Sequence, residues 1–339
     1  MTIENLEKEL KQGVLQSLYL FYGEETFLLE SCLKKLKTLF GELTLGINYI
    51  RIEDTNVNEL ISDIETPAFG YDKKLIIAKN TGLFKKEGKR KNVAGSEWVE
   101  KVASYISENI HMIQESVVLV FIEEEVEKNV LYTVLDKQGE VCHFEALKPS
   151  QIVGRLKAIC KAYQVQVEET TLSYLIESCG TNMQDLINEI RKLIEYVGNG
   201  GMITKQDIDL LSIKQLDSVI FDLTDNLGKK NVRQALEVLH NLLYAKEPIQ
   251  KILITLYHHF KKLYLVKMAI RENKNITECL NLKPNQTFLT GKYKTQANYF
   301  QEGELRQIVE ALIDLDSHSK VGLMDVNIGL EAILCRYCS

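Results

Sequence analysis

Up to about residue 146, short apolar runs alternate with segments whose apolar residues recur at helical spacing; beyond Pro149 the apolar runs stop. "SLYLFYG", "INYIRIE", "KKLIIAKN", "SVVLVFIEE" and "EVCHFEAL" read as strands. "ETFLLESCLKKLKTLF", "VNELISDIETPAF" (running into Pro67) and "SEWVEKVASYISENI" read as helices between them. A strand that returns beside its neighbour through a helix enters the sheet from the same end. Alternation at this spacing therefore predicts a mainly parallel sheet with helices on both faces.

After Pro149, "SQIVGRLKAICKAYQV", "EETTLSYLIESCG" and "NMQDLINEIRKLIEYVG" are amphipathic helices with little strand signal between them. Ser150, Thr170 or Thr171, and Asn182 are the expected N-caps, and Gly180 and Gly198 the expected left-handed C-caps. A glycine-rich turn and a short helix follow in "GNGGMITKQDIDLLS". From about Gln215 the chain is helical to its end, closing on "EGELRQIVEALIDLDSHSK" and "VNIGLEAILCRYC". The expected organisation is an α/β domain at 1–146, a small all-α domain at 147–212 and an all-α domain at 213–339. A chain of 339 residues, 45% hydrophobic, is long enough for that many cores.

A net charge of −6 argues against a free-standing nucleic-acid binder that neutralises many phosphates by itself. No apolar run approaches the ~20 residues of a membrane span, and "MTIENLEKELKQG" is too polar for a signal peptide. The expected compartment is the cytoplasm, with no membrane partner. The seven cysteines follow no framework spacing and read as free, mostly buried thiols. Cys335 and Cys338 form a CxxC, but no second pair or nearby histidine completes a zinc site, so no metal is expected.

The turn after "SLYLFYG" is where a nucleotide-binding protein places its phosphate loop. Such a loop needs glycine amides on the phosphates, a lysine, and a hydroxyl for magnesium. Here Gly23 is followed by Glu24, Glu25, Thr26 and Phe27, two carboxylates where phosphate should sit. "GLFKKEGKRK" echoes the motif through Gly82, Gly88 and Lys89, but its spacing is one residue too long and Arg90 replaces the Ser/Thr. "VVLVFIEEE" resembles a strand ending in magnesium-handling acids; without a phosphate loop, Glu123 and Glu124 read as a polar strand exit. The sheet resembles that of a nucleotide-binding ATPase without its site. The six histidines are dispersed, with His258 and His259 in one helix, one packed and one exposed. No protease, hydrolase or deaminase motif occurs.

"ETPAFGYDKK" at 65–74 stands out. A helix pattern ends at Pro67, Gly70 permits a tight turn, and Phe69 lies at the tip. Two readings stay open: Phe69 packs back onto the sheet, or it projects as an aromatic anchor for a partner's pocket.

Taken in order, "LYLFYGEETFLLESCLKKLK", "ETPAFGYDKKLIIAKN", "VVLVFIEE", "IFDLTDNLGKKNVRQALEVLHNLLYAKEPIQKIL" and "YKTQANYFQEGELRQIVEALIDLDSHSKVG" resemble the delta-subunit family of the bacterial DNA polymerase III clamp loader. The resemblance runs from about residue 17 to the C-terminus. It implies an AAA+-like (RecA-like) first domain without a functional nucleotide site, a helical lid and a helical collar for pentamer assembly. It implies no cofactor and no catalysis by this subunit. The implied partners are the beta sliding clamp, the gamma/tau motor and delta-prime subunits, and primer–template DNA within the complex. The family's clamp-binding element falls on Pro67, Ala68, Phe69, Gly70 and Tyr71, with Phe69 the main anchor because Ala68 is small. Gln184 stands about where active relatives carry a sensor arginine, and the Ser-Arg-Cys motif is absent. Lys320 and Gly322 lie where the family's collar faces DNA, although a solvated loop lysine fits as well. The alternative is an active AAA+-type ATPase with an aberrant phosphate loop, acting on nucleic acid or protein partners.

Overall fold

The computed structural model describes residues 1–85 and 96–338. Gly88, Lys89 and Arg90 of the basic stretch lie outside the described residues, as does the side chain of Cys338. The chain divides into two compact units, Met1–Ala146 and Leu147–Ser339.

The first unit runs α1 (Ile3–Lys11), β1 (Leu18–Tyr22), α2 (Thr26–Phe40), β2 (Tyr49–Ile52), α3 (Leu60–Glu65), β3 (Lys74–Lys79), α4 (Ser96–Glu108), α5 (Ile110–Ser116), β4 (Val117–Glu123), α6 (Val130–Gln138) and β5 (Glu140–His143). All five strands pair in parallel, in the order β2-β3-β4-β1-β5. A central parallel strand is covered on both faces, so it reads as an unbroken apolar run; every residue of β4 is buried. Alternation sends Leu18 and Leu20 into one core with residues of α3, α4 and α6. It sends Tyr19 and Phe21 to the opposite face, where Phe21 meets Phe144 edge-on at 5.4 Å.

Three helices, α1, α5 and α6, are additional to those expected from the sequence. The segment of α1 reads there only as too polar for a signal peptide. It buries Ile3, Leu6 and Leu10, one narrow stripe on an otherwise polar helix. The helix expected to run into Pro67 stops at Glu65, and Thr66 is extended at ψ 126°. The proline ring disfavours helical geometry in the residue before it.

The second unit begins with α7 (Pro149–Ala162), β6 (Gln166–Val167), α8 (Glu169–Cys179), α9 (Met183–Val197), β7 (Met202–Ile203) and α10 (Lys205–Leu211). The two short strands pair in parallel, a small departure from an all-helical expectation. The first helix starts one residue earlier than the expected Ser150 cap. Pro149 is its first residue, suited by its fixed φ, and Lys148 N–H donates to Gln151 Oε1 at 3.0 Å. Glu168, not a threonine, precedes α8, whereas the Asn182 side chain does cap α9. Gly180 and Gly198 end their helices with positive φ, but at ψ −170° and 177° they leave in extended rather than left-handed helical geometry.

The remaining helices are α11 (Leu216–Gly228), α12 (Val232–Tyr244), α13 (Ile249–Arg271), α14 (Ile276–Cys279), α15 (Leu289–Ala297), α16 (Glu302–Lys320) and α17 (Val326–Cys338). They share one apolar core from Leu216 to Tyr337, with Leu256, Phe260 and Leu263 of α13 at its centre. Within it, His259 is buried and His258 exposed. The Gln296 amide donates to Phe221 O and to Asp225 Oδ1, which turns its Oε1 toward His259 Nε2 at 2.8 Å. Burial pulls the pKa of His259 down to about 4, so the ring sits in this network neutral. Among the described residues no helix is long and apolar enough to cross a membrane.

Candidate protein-interaction site and the closed phosphate position

In a parallel sheet the two edges differ, because all strands begin at one and end at the other. The turn after β1 lies at the carboxyl edge, where ligands of such sheets bind. Its amides are already engaged. Gly23 N–H donates to Glu123 O at 3.3 Å, Glu25 N–H to Phe144 O at 2.9 Å, and Thr26 N–H to Glu24 O at 2.9 Å. Gly23 has φ 128°, and a Cβ there would lie 2.3 Å from Phe144 O, so the turn is pressed against the segment following β5. Glu25 is nearly buried at the start of α2. The same edge carries an open cleft of about 560 Å³ lined by five acids, Glu53, Asp54, Glu123, Glu124 and Glu125, together with Lys79, Asn80 and Lys85. Two carboxylates in the turn and five beside it against two lysines make the charge at this edge predominantly acidic.

Glu123 departs from the expectation of a polar strand exit. Only 3% exposed, it accepts from Thr81 N–H at 2.8 Å and from Thr81 Oγ1 at 2.6 Å. Burial pushes its pKa up to about 7, against the pull of the Thr81 hydrogen bonds and Lys85. The carboxylate fastens the chain leaving β3 to the end of β4. Glu124 is exposed, as a polar strand exit would be.

Residues 66–73 lie at the amino edge, leading into β3. Tyr71 N–H donates to Ala68 O at 2.9 Å, closing a β-turn with Phe69 and Gly70 at its centre. Gly70 has φ 83° and Phe69 does not have positive φ, the combination of a type II turn, which favours glycine in its third position. Phe69 is 75% exposed and does not pack back onto the sheet. Pro67 and Gly70 are exposed; Ala68 and Tyr71 are half-buried. Tyr71 is tied down through its hydroxyl, 2.6 Å from Thr44 Oγ1.

Lys74 anchors the base of this loop, a role the sequence reading missed. At 2% exposure, its ammonium donates to Asp63 O at 2.7 Å and to Thr66 O. A cation on the last carbonyls of a helix suits the helix dipole, here that of α3. Burial pulls its pKa below the usual lysine value, while Asp63 pulls it up. Its signal in sequence is slight: a charged residue opening an apolar strand.

The other candidate positions lie in the second unit. Lys320 ends α16 and is paired within that helix, its Nζ 2.6 Å from Asp316 Oδ2. Gly322 follows with φ 75° in the turn before α17. Gln184 is exposed on α9, its amide donating to Asn188 Oδ1 at 3.0 Å. Cys335 is exposed.

A five-stranded parallel sheet covered by helices, with the amides of its first turn engaged and an all-helical region after it, defines a parallel α/β chain with a helical C-terminal region. Two family models match. One, DNA polymerase III, delta subunit, covers residues 19–145; the other, for the C-terminal domain of the DNA polymerase III delta subunit, covers residues 217–337. The chain belongs to the DNA polymerase III delta-subunit family. It is 26% identical over 340 residues to DNA polymerase III subunit delta of Bacillus subtilis, covering 97% of this chain and 95% of that one. Over 126 residues it is 29% identical to the Bacillus subtilis DNA polymerase III subunit tau, covering 37% of this chain and 22% of the relative. The solved Bacillus subtilis DNA clamp loader delta protein has the same fold, with a TM-score of 0.74, 23% identity and 99% of each chain covered.

Proposed function

We propose that this chain is the delta subunit of a DNA polymerase III clamp loader. In this reading it is a non-catalytic subunit that binds and opens the beta sliding clamp, so that the ATP-driven loader can place the ring on primed DNA. The observation that carries it is Phe69, 75% exposed at the tip of a turn whose two ends are held by Lys74 and Tyr71. A large ring presented on a braced turn is pre-organised for a pocket, because little entropy is left to lose on docking. Pro67, Ala68, Gly70 and Tyr71 shape the turn, and Phe69 supplies most of the buried area.

The engaged amides after β1 support leaving ATP to the gamma/tau motor subunits beside this one. The second unit reads as a lid over 147–212 and a collar over 213–339, the collar joining motor and delta-prime subunits. The separate apolar core running from Leu216 to Tyr337 supports that division. Lys320 and Gly322 face primer–template DNA in this arrangement, and the cytoplasm is the compartment it implies.

The test is the affinity of purified clamp for Phe69→Ala, with the thermal midpoint measured alongside. A phenylalanine at the centre of an interface contributes about 2–4 kcal/mol. The variant is expected to bind roughly 30- to 1,000-fold more weakly with its melt unchanged. Unchanged affinity would place the clamp contact elsewhere.

A further inference from the structure

A second loop enters the sheet beside the Phe69 turn. Residues 42–48 lead into β2 as 66–73 lead into β3, and these strands are parallel neighbours. Both loops therefore stand at the amino edge, opposite the closed phosphate turn. Leu75 N–H donates to Asn48 O at 2.7 Å, and the Thr44 and Tyr71 hydroxyls meet at 2.6 Å.

The second loop is braced from within. Asn48, 1% exposed, accepts from Thr44 N–H at 2.6 Å and donates to Glu42 O at 2.8 Å. Thr44 O accepts from the N–H groups of Ile47, Asn48 and Tyr49. Yet this ordered loop holds Leu45 66% and Ile47 42% exposed. Phe69 and Leu45 are the two most exposed large hydrophobic residues among the described residues of the first unit. Leu45 follows Thr44 and Phe69 lies two residues before Tyr71, so the hydroxyl pair brings two exposed apolar side chains onto neighbouring loops at one edge; apolar exposure concentrated in this way marks an interaction site.

We propose that Leu45 is a second anchor in the Phe69 interface, entering the apolar surface of the same sliding clamp, with the Thr44–Tyr71 pair setting the spacing of the two anchors. This rests on the clamp-binding reading of Phe69. It enlarges the contact from one turn to two loops, and it makes Thr44 and Tyr71 positioning residues.

The experiment measures equilibrium affinity of the full chain for purified clamp with Leu45→Ala, Leu45→Asp, Phe69→Ala and Tyr71→Phe, each checked by its thermal midpoint. Leu45→Ala removes three carbons from the contact and is expected to weaken binding roughly 5- to 30-fold, and Leu45→Asp more, with melts unchanged. Tyr71→Phe breaks only the hydroxyl pair and is expected to weaken binding about 2- to 10-fold. If Phe69→Ala weakens binding while both Leu45 variants bind as the unaltered chain does, the second anchor is refuted and the Phe69 reading stands. If neither position affects affinity, the reading of the site falls and the second anchor with it.

Discussion

Glu123 closes a strand whose other residues are all apolar, and burial makes its carboxylate hard to ionise. Its folded pKa of about 7 lies above its ordinary 4.5. Below pH 4.5 both folded and unfolded chains hold the proton. Between 4.5 and 7 the unfolded chain releases it first, so stability falls as pH rises, and above 7 the loss is complete. At about 1.4 kcal/mol per unit the loss is on the order of 3 kcal/mol. Glu123→Gln keeps an acceptor for Thr81 and does not titrate. Urea unfolding at pH 4.5 and pH 8 is expected to show a smaller pH-dependent loss in the variant than in the unaltered chain; equal losses would contradict this assignment. Lys320 is the opposite case, an exposed ammonium whose pairing with Asp316 contributes little. In a reconstituted loader, Lys320→Glu is expected to weaken primer–template binding and lower its salt slope by roughly one unit. An unchanged slope would make Lys320 a solvated helix-end lysine.

The strand–turn–helix of β1 and α2 keeps the shape of a nucleotide-binding element while its amides serve neighbouring carbonyls. Opening the turn would break the Glu25-to-Phe144 hydrogen bond and bring phosphate up to Glu24 and Glu25. The isolated chain is therefore expected not to bind a fluorescent ATP analogue in equilibrium titration. Saturable, magnesium-dependent binding at micromolar concentration would favour the aberrant-loop ATPase instead. The missing Lys-Ser/Thr pair could be read directly from "GEETF"; the engaged donors could not, since Phe144 lies more than a hundred residues along the chain. The element from α3 to β3 divides the same way. Proline and glycine marked a turn at 67–70, but whether Phe69 faced the sheet or solvent depended on packing that residue type leaves open. Lys74 and Thr44 hold the turn from outside it.

At the scale of the chain, the proposed function puts clamp contact in the first unit and subunit assembly in the second. A chain ending at Ala146 retains the complete sheet and both amino-edge loops. It is expected to bind the clamp and to lose co-elution with motor subunits on gel filtration. Continued co-elution would move the assembly surface out of the helical unit. The sequence pattern also passes over α1, α5 and α6. The apolar stripe of α1 has a clear helical period but lies on a mostly polar helix, while α5 and α6 are short and abut strands; each buries residues in the first unit.

Period alone determined that the chain would be a parallel α/β unit followed by helices. Burial on two faces makes parallel strands continuous apolar runs, and burial on one face makes helices striped. Local residue chemistry likewise determined that 67–70 would turn and that the loop after β1 lacked a Lys-Ser/Thr pair. Only the tertiary structure decided which exposed or charged residues had partners. Glu123 became a buried acceptor because Thr81 was carried to it from the end of β3. Lys74 became a helix clamp because α3 ended above it. Leu45 came to stand beside the Phe69 turn because β2 and β3 are neighbours, and that adjacency belongs to strand order rather than to either loop's own residues.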